Sequence, residues 1–197
     1  MIIAKVVRSN SHVDLVAEVY RPGERDQTPG PDDYAFGTFV SMRVDASRRV
    51  IGIIYDTLLV NPEYGRGGPR ISTEVALERF MPDYIMEKAT LIGIASLGTV
   101  CTSGNGRQVD HGVPQVAVEL EAEVEVLSED EVREFHSPGG MFCLGYLPRL
   151  IAQEGPCIPG LIERLIERLA ALFPSELPRL DVLRTSVAWK TRVEVLR

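Results

Sequence analysis

The feature that most constrains the fold of this chain is a strict alternation of apolar and polar residues over positions 116–127. The apolar positions are Val116, Val118, Leu120, Ala122, Val124 and Val126. Glutamates fill four of the five positions between them, Glu119, Glu121, Glu123 and Glu125. Successive side chains of a β-strand point to opposite faces. The alternation therefore predicts one half-buried strand over 116–127, with a row of glutamates on its outer face.

Other segments have the alternation or the β-branched composition of strands. They are residues 2–7, 13–20, 39–44, 50–60 and 89–102. The third and fourth of them form a predicted hairpin, because the residues between them, Asp45–Arg48, favour a turn. Residues 185–196 alternate again, which predicts a last strand. Its inward positions would be Val187, Trp189, Thr191, Val193 and Val195.

The clearest helical spacing lies in residues 159–173, where apolar residues recur every three or four positions. Pro159 suits the first turn of a helix, and Pro174 would stop it. A short middle helix is predicted from Ser72 or Thr73, either of which could cap it, to about Phe80.

These elements together predict a mainly β fold, a small antiparallel β-barrel with a short middle helix and a C-terminal helix plus strand. Residues 1–150 would form the barrel domain, and residues 151–197 a helix–strand appendage. The apolar stripe of the helix over 159–173 has to be covered, either by the barrel or by another subunit.

Composition and charge limit the function classes. The chain has 197 residues, 45% of them hydrophobic, which is typical of globular proteins. Its formal charge of −7 disfavours general coating of nucleic acid, which depends on cationic contacts to phosphates.

No apolar run reaches the length of about 18 residues that a membrane span needs. The apolar N-terminal stretch is broken by Lys5 and Arg8, so it predicts a first strand and not a signal peptide. Three cysteines without CxxC spacing indicate reduced thiols and a cytoplasmic protein.

Three segments of the first 150 residues resemble a known barrel family. IIAKVVRSNSHVDLVAEVY (2–20) resembles its opening strand pair, and FGTFVSMRVDASRRVIGIIYDT (36–57) resembles its next hairpin. VAVELEAEVEVL (116–127), followed by SPGGMF (137–142), resembles the strand and Pro-Gly exit that end the barrel. The family is the HAS barrel, the β-barrel domain shared by HerA-type helicases and ATP synthase subunits. Residues 150–197 match no part of it.

In that family the barrel precedes a P-loop ATPase domain and helps to assemble the ring. This sequence contains no GxxxxGK[ST] motif, so the resemblance does not extend to ATP hydrolysis. What it implies is a scaffold role, in which the barrel docks protein partners. The implied partner is a separately encoded ring ATPase of the HerA kind that works on DNA.

Two charged segments are the candidate binding sites. The glutamates at 119, 121, 123 and 125 suit a solvated strand face, a docking site for a basic partner or, less naturally, a divalent metal. The tail is basic, and Arg184, Trp189, Lys190 and Arg192 could bind nucleic acid by stacking and charge. Alternatively, Trp189 is a core anchor. A third use is homo-oligomer formation, with the basic tail of one subunit meeting the acidic strand of another.

The remaining candidates are weaker. The loops 65–70 and 103–107 place arginines beside glycines, which suits either phosphate binding or plain turns. His12, His111 and His136 are interpreted as loop or surface residues, although Asp110, His111 and Cys101 could be part of a metal or hydrolase site. No motif indicates a catalytic centre, a metal or a cofactor. The hypothesis is therefore a non-enzymatic adaptor, with a nucleic-acid-binding barrel as the alternative and a hydrolase or nuclease built around Asp110 and His111 as a third.

Overall fold

The computed structural model describes residues 1–61, 88–104, 106–153 and 155–194, with the backbone alone over 188–194. It contains seven strands, β1 (Ile2–Ser11), β2 (Asp14–Val19), β3 (Phe39–Arg43), β4 (Arg48–Val60), β5 (Ala89–Ser103), β6 (Gly106–Asp110) and β7 (Glu123–Val126). Four α-helices follow in the described part, α1 (Glu129–His136), α2 (Leu147–Ile151), α3 (Ile158–Leu172) and α4 (Leu177–Glu194). None of the described helices is long and apolar enough to cross a membrane.

Six of the strands close into an antiparallel barrel. The order around it is β2-β1-β7-β3-β4-β5, and β2 pairs with β5 from Asp14–Ala95 to Glu18–Leu91 to complete the circle. Closure leaves few unpaired strand edges, which would otherwise favour aggregation. β6 pairs with β5 at residues 99–103, beyond the end of β2. The predicted small antiparallel barrel is confirmed.

Two apolar cores lie on opposite sides of the barrel wall. The inner core takes side chains from all six barrel strands, among them Val50, Ile54 and Ile94. The outer core joins alternate wall residues, such as Ile51 and Ile53, to the buried faces of the helices. Because this part of the wall is buried on both faces, β4 has a continuous apolar run and no alternation.

Helix α3 covers the outer face of the barrel. Its buried residues belong to the same cluster as the wall residues of β3, β4 and β5. They are Ile158, Leu161, Ile162, Leu165, Ile166 and Leu169. Of the two predicted ways of covering the apolar stripe, packing on the barrel is the one that the structure has.

The predicted long strand over 116–127 is wrong for most of its length. Only Glu123–Val126 is a strand, and the side chains of Val116 and Leu120 are 41% and 66% exposed. Glu121 has a φ of 64°, in the left-handed region that residues other than glycine rarely adopt. The chain therefore turns just before β7, and the residues ahead of the turn cannot continue the ladder.

The predicted C-terminal strand is also wrong, because this segment belongs to α4. Leu180 and Val187 are buried and Leu183 is half-buried, so the apolar contacts follow helical spacing along one face. That face packs against α3. The β-branched residues of the tail favour a strand only weakly, and packing on the neighbouring helix outweighs this preference.

Helix α1 was missed, although the sequence carries its start signal. The Ser128 hydroxyl accepts a hydrogen bond from the Glu131 amide, and the Glu131 carboxylate accepts one from the Ser128 amide. This reciprocal pair is a capping box, readable as Ser-x-x-Glu. The predicted middle helix at 72–80 and the loop at 65–70 lie outside the described residues.

Position 98 of β5 requires a glycine, because the backbone of β6 passes close to it. A Cβ atom at this position would lie 2.2 Å from the Asp110 carbonyl oxygen, a backbone atom that can move only with its strand. We expect Gly98→Ala to lower the free energy of unfolding by about 1–3 kcal/mol, measured by urea denaturation. Gly104→Ala is the control, since nothing lies within 4 Å of a Cβ there. Equal stability of the two variants would contradict this packing.

Candidate functional site

The β4–β5 ladder continues past the end of β3 as a ribbon, although β2 still pairs with the other edge of β5 as far as Leu91. We call residues 56–60 of β4 and 89–93 of β5 the arm. Its pairing runs from Asp56–Gly93 to Val60–Ala89. β3 ends opposite Ile53, so along 56–60 no described strand pairs with the other edge of β4. Within the described residues, this edge of β4 is therefore open to pairing with another chain.

Tyr55 fixes the base of the arm. The register between β4 and β5 shifts at this residue, a bulge that redirects the ribbon. The Tyr55 hydroxyl donates a 2.7 Å hydrogen bond to the Asp14 carboxylate of β2. Burial and the Asp14 charge both raise the pKa of the Tyr55 phenol, which therefore stays protonated as the donor.

The tip of the arm is apolar and exposed. Leu58 is 59% exposed, Leu59 76% and Val60 36%. Neighbouring residues of a strand point to opposite faces, so each face of the ribbon carries an exposed leucine. Natural proteins usually protect such an edge with charges or a cover, and residues 58–60 carry no charge. The sequence places these residues in a predicted strand but does not indicate their exposure, because an apolar run by itself indicates burial.

The predicted glutamate row is not a continuous free surface. Lys5 Nζ lies 3.0 Å from a Glu121 carboxylate oxygen, Arg25 pairs with Glu123, and the N-terminal amine lies 3.8 Å from Glu125. The hydrogen bond and charge of Glu121 raise the pKa of Lys5. Of the four glutamates, Glu119 has no ion pair within the described residues. Their role in binding a basic partner stays a prediction.

The predicted basic tail is placed on α4. Arg184 lies 2.9 Å from the Asp181 carboxylate, one helical turn away. Trp189, Lys190 and Arg192 follow on the same helix, and their side chains lie outside the described residues. Their roles in nucleic-acid binding, or in self-assembly with the acidic segment, stay predictions. Arg107, in the 103–107 loop, pairs with Glu134 of α1 and so ties the β5–β6 hairpin to that helix.

The interpretation of His136 as a loop residue is wrong, because its ring is fully buried at the end of α1. Nδ1 donates to the Val132 carbonyl oxygen at 2.8 Å, and Nε2 accepts from the Tyr146 hydroxyl at 2.7 Å. Burial, together with a smaller effect of the nearby His111, lowers the pKa of His136 to about 4. The ring is therefore neutral at pH 7 and serves as a structural hydrogen-bonding group.

His111 is half-buried beside it and is also fully bonded. Its Nε2 donates to the Phe135 carbonyl oxygen at 2.9 Å, and its Nδ1 accepts from the Gly145 amide at 3.1 Å. Burial lowers the pKa of His111 as well. With both nitrogens bound to backbone, this ring holds the loop after β6 against the helices. Within the described ranges, no three His, Cys, Asp or Glu side chains cluster as a metal would require.

Comparison with known proteins identifies a family but no function. A family model for a domain of unknown function, DUF8166, matches residues 1–196. The match covers the barrel strands and the helices together. No curated protein matches the chain. Among the surfaces of the described residues, the arm is the most distinctive candidate for a functional site.

Proposed function

The chain belongs to the DUF8166 family, and we propose that it works as a non-enzymatic adaptor that docks a partner protein along the arm. The observation that supports this proposal is the exposed apolar tip, Leu58–Val60, beside a strand edge with which no described strand pairs. An extended segment of a partner could add to this edge as a further strand. Its backbone hydrogen bonds would supply affinity, and pockets for Leu58 or Leu59 would supply specificity.

The proposed partner is a ring ATPase of the HerA kind. The support for it is the resemblance of residues 1–150 to the HAS barrel, which in those helicases takes part in ring assembly. An adaptor of this type would contribute a barrel to a ring whose motor is a separate chain. Leu58 and Leu59 are exposed while the helices are in place, so a partner could reach them without displacing the helices from the outer wall.

The test compares three forms of the tagged protein in affinity capture from nuclease-treated native lysate, read by quantitative mass spectrometry. They are the wild type, Leu59→Glu in the arm, and Val182→Glu as the control. Val182 is 66% exposed on α4, close to the 76% of Leu59, so both changes add the same charge at a solvated site.

We expect the wild type and Val182→Glu to recover a P-loop ATPase in stoichiometric amount. Leu59→Glu is expected to recover at least about tenfold less of this ATPase, because docking would remove the glutamate charge from water at a cost in free energy. Undiminished capture by Leu59→Glu would move the docking site away from the arm. If the wild type captured no protein but bound DNA in a strongly salt-dependent way, the nucleic-acid alternative would replace the adaptor.

A further inference from the structure

A cavity opens at the end of the barrel away from the arm, independently of the proposed docking function. Its volume is about 240 Å3, well above the roughly 10–15 Å3 that a single water molecule needs. Its floor is a patch of directly paired residues on three adjacent strands. These are Arg48 and Val50 on β4, Cys101 and Thr99 on β5, and Gln108 and Asp110 on β6.

The register places all six floor residues on one face. Arg48 pairs with Cys101 and Cys101 with Gln108, while Val50 pairs with Thr99 and Thr99 with Asp110. Directly opposed residues share a face of the sheet, as do residues two apart along a strand. Val50 belongs to the inner core, so this face is the inner face of the barrel wall, continued onto β6.

The remaining wall comes from the segment that sequence analysis predicted as a strand. Gln115 and Val116 line the cavity together with Val44. The alternation beginning at Val116 would suit pairing, yet the chain instead passes along the cavity and turns at Glu121, with a φ of 64°. Places where a strong local preference is overridden are often functional sites.

The charges of the cavity do not cancel. Arg48 Nε and Nη2 both bind the Asp45 carboxylate at 2.6 Å, which neutralises the guanidinium. Asp110 accepts a 2.8 Å hydrogen bond from the Gly112 amide, and it has no cationic partner among the described residues. One carboxylate charge is therefore left beside an apolar surface of three valines.

We propose that this cavity binds a small organic cation, an aliphatic amine whose ammonium group contacts Asp110. The valine side chains would take its hydrocarbon part, and the side-chain oxygens of Thr99, Gln108 and Gln115 could accept the remaining ammonium hydrogens. Barrel mouths with an apolar lining and a few convergent polar groups commonly hold small ligands. The net charge of −7 also favours the approach of a cation.

The test uses protein with isotope-labelled valine methyl groups, which is titrated with three probes that share a 3-methylbutyl group while NMR records the methyl shifts. The probes are 3-methylbutylamine, 3-methylbutanol and 4-methylpentanoate, which differ in charge at one end. We expect saturable shifts of the Val44, Val50 and Val116 methyls with the amine, with a dissociation constant of about 1 mM or below. The alcohol should bind at least about tenfold more weakly, and the carboxylate not measurably.

Asp110→Asn should weaken amine binding by about tenfold or more, since it removes the charge but keeps an oxygen for the Gly112 amide. Glu119→Gln is the control, because it removes an exposed carboxylate outside the cavity. Equal binding of amine and alcohol would show apolar filling without charge recognition and would overturn the proposal. So would the absence of saturable valine shifts with the amine, or undiminished binding by Asp110→Asn.

Discussion

Lowering the pH from 7 to 4 is expected to reduce the free energy of unfolding by about 3 kcal/mol through His136 alone. Its pKa falls from an ordinary 6.5 to about 4 on folding, and each unit corresponds to about 1.36 kcal/mol. Between these two pH values the unfolded chain binds a proton that the folded protein does not bind. The contribution of His136 to the free energy of unfolding is therefore fully present above pH 6.5 and is lost progressively as the pH falls toward 4.

The measurement is chemical denaturation of the wild type and of the double variant His136→Phe, Tyr146→Phe at pH 7 and pH 4. The double variant replaces both partners of the buried hydrogen bond, so no hydroxyl group is left unsatisfied. It is expected to be less stable at pH 7 but to lose about 3 kcal/mol less than the wild type between the two pH values. The same pH dependence in both proteins would show that His136 is not the group responsible.

Leu161→Ala is expected to destabilise the whole protein by about 2–5 kcal/mol in a single unfolding transition. The Leu161 side chain is fully buried in α3 and belongs to the cluster that includes Phe39, Ile51 and Ile53 of the barrel wall. A cavity there weakens the contact between the helices and the barrel. Urea denaturation followed both by the helical signal and by amide exchange of the barrel strands measures the change.

Leu120→Ala is the matched control, since it makes the same substitution at a side chain that is 66% exposed. It should change stability by no more than about 0.5 kcal/mol. The shape of the transition tests the predicted division into residues 1–150 and residues 151–197. If the helical signal of Leu161→Ala were lost before the barrel unfolded, the appendage would be a separate unit, and the shared outer core would contribute little cooperativity.

Local signals were sufficient for five of the six barrel strands, β1 to β5, and for α3. Residues 2–7, 13–20 and 89–102 were predicted close to their observed bounds, and so was the hairpin around Asp45–Arg48. In these segments composition, periodicity and turn formers all favour the same structure. The start of α1 could have been predicted as well, from the capping box of Ser128 and Glu131.

The candidate sites depend on contacts between residues that lie far apart in the sequence, and local sequence patterns do not predict such contacts. The exposure of Leu58 and Leu59 goes with the end of β3 opposite Ile53, beyond which no described strand pairs with the edge of β4 that faces away from β5. The cavity follows from the pairing of β6 with β5, which places Asp110 beside Thr99. The burial of His136 likewise follows from the packing of α1 against the wall and against Tyr146.

By itself the sequence determined the fold class, because period-two alternation and turn residues act within a few positions of the chain. Tertiary packing determined which of the alternating segments form strands. Residues 116–120 are not part of the sheet although their pattern suits a strand, and the tail is helical because α3 offers it an apolar face. The physical reason is that preferences of a few tenths of a kcal/mol per residue are smaller than the energy of burying apolar side chains between elements.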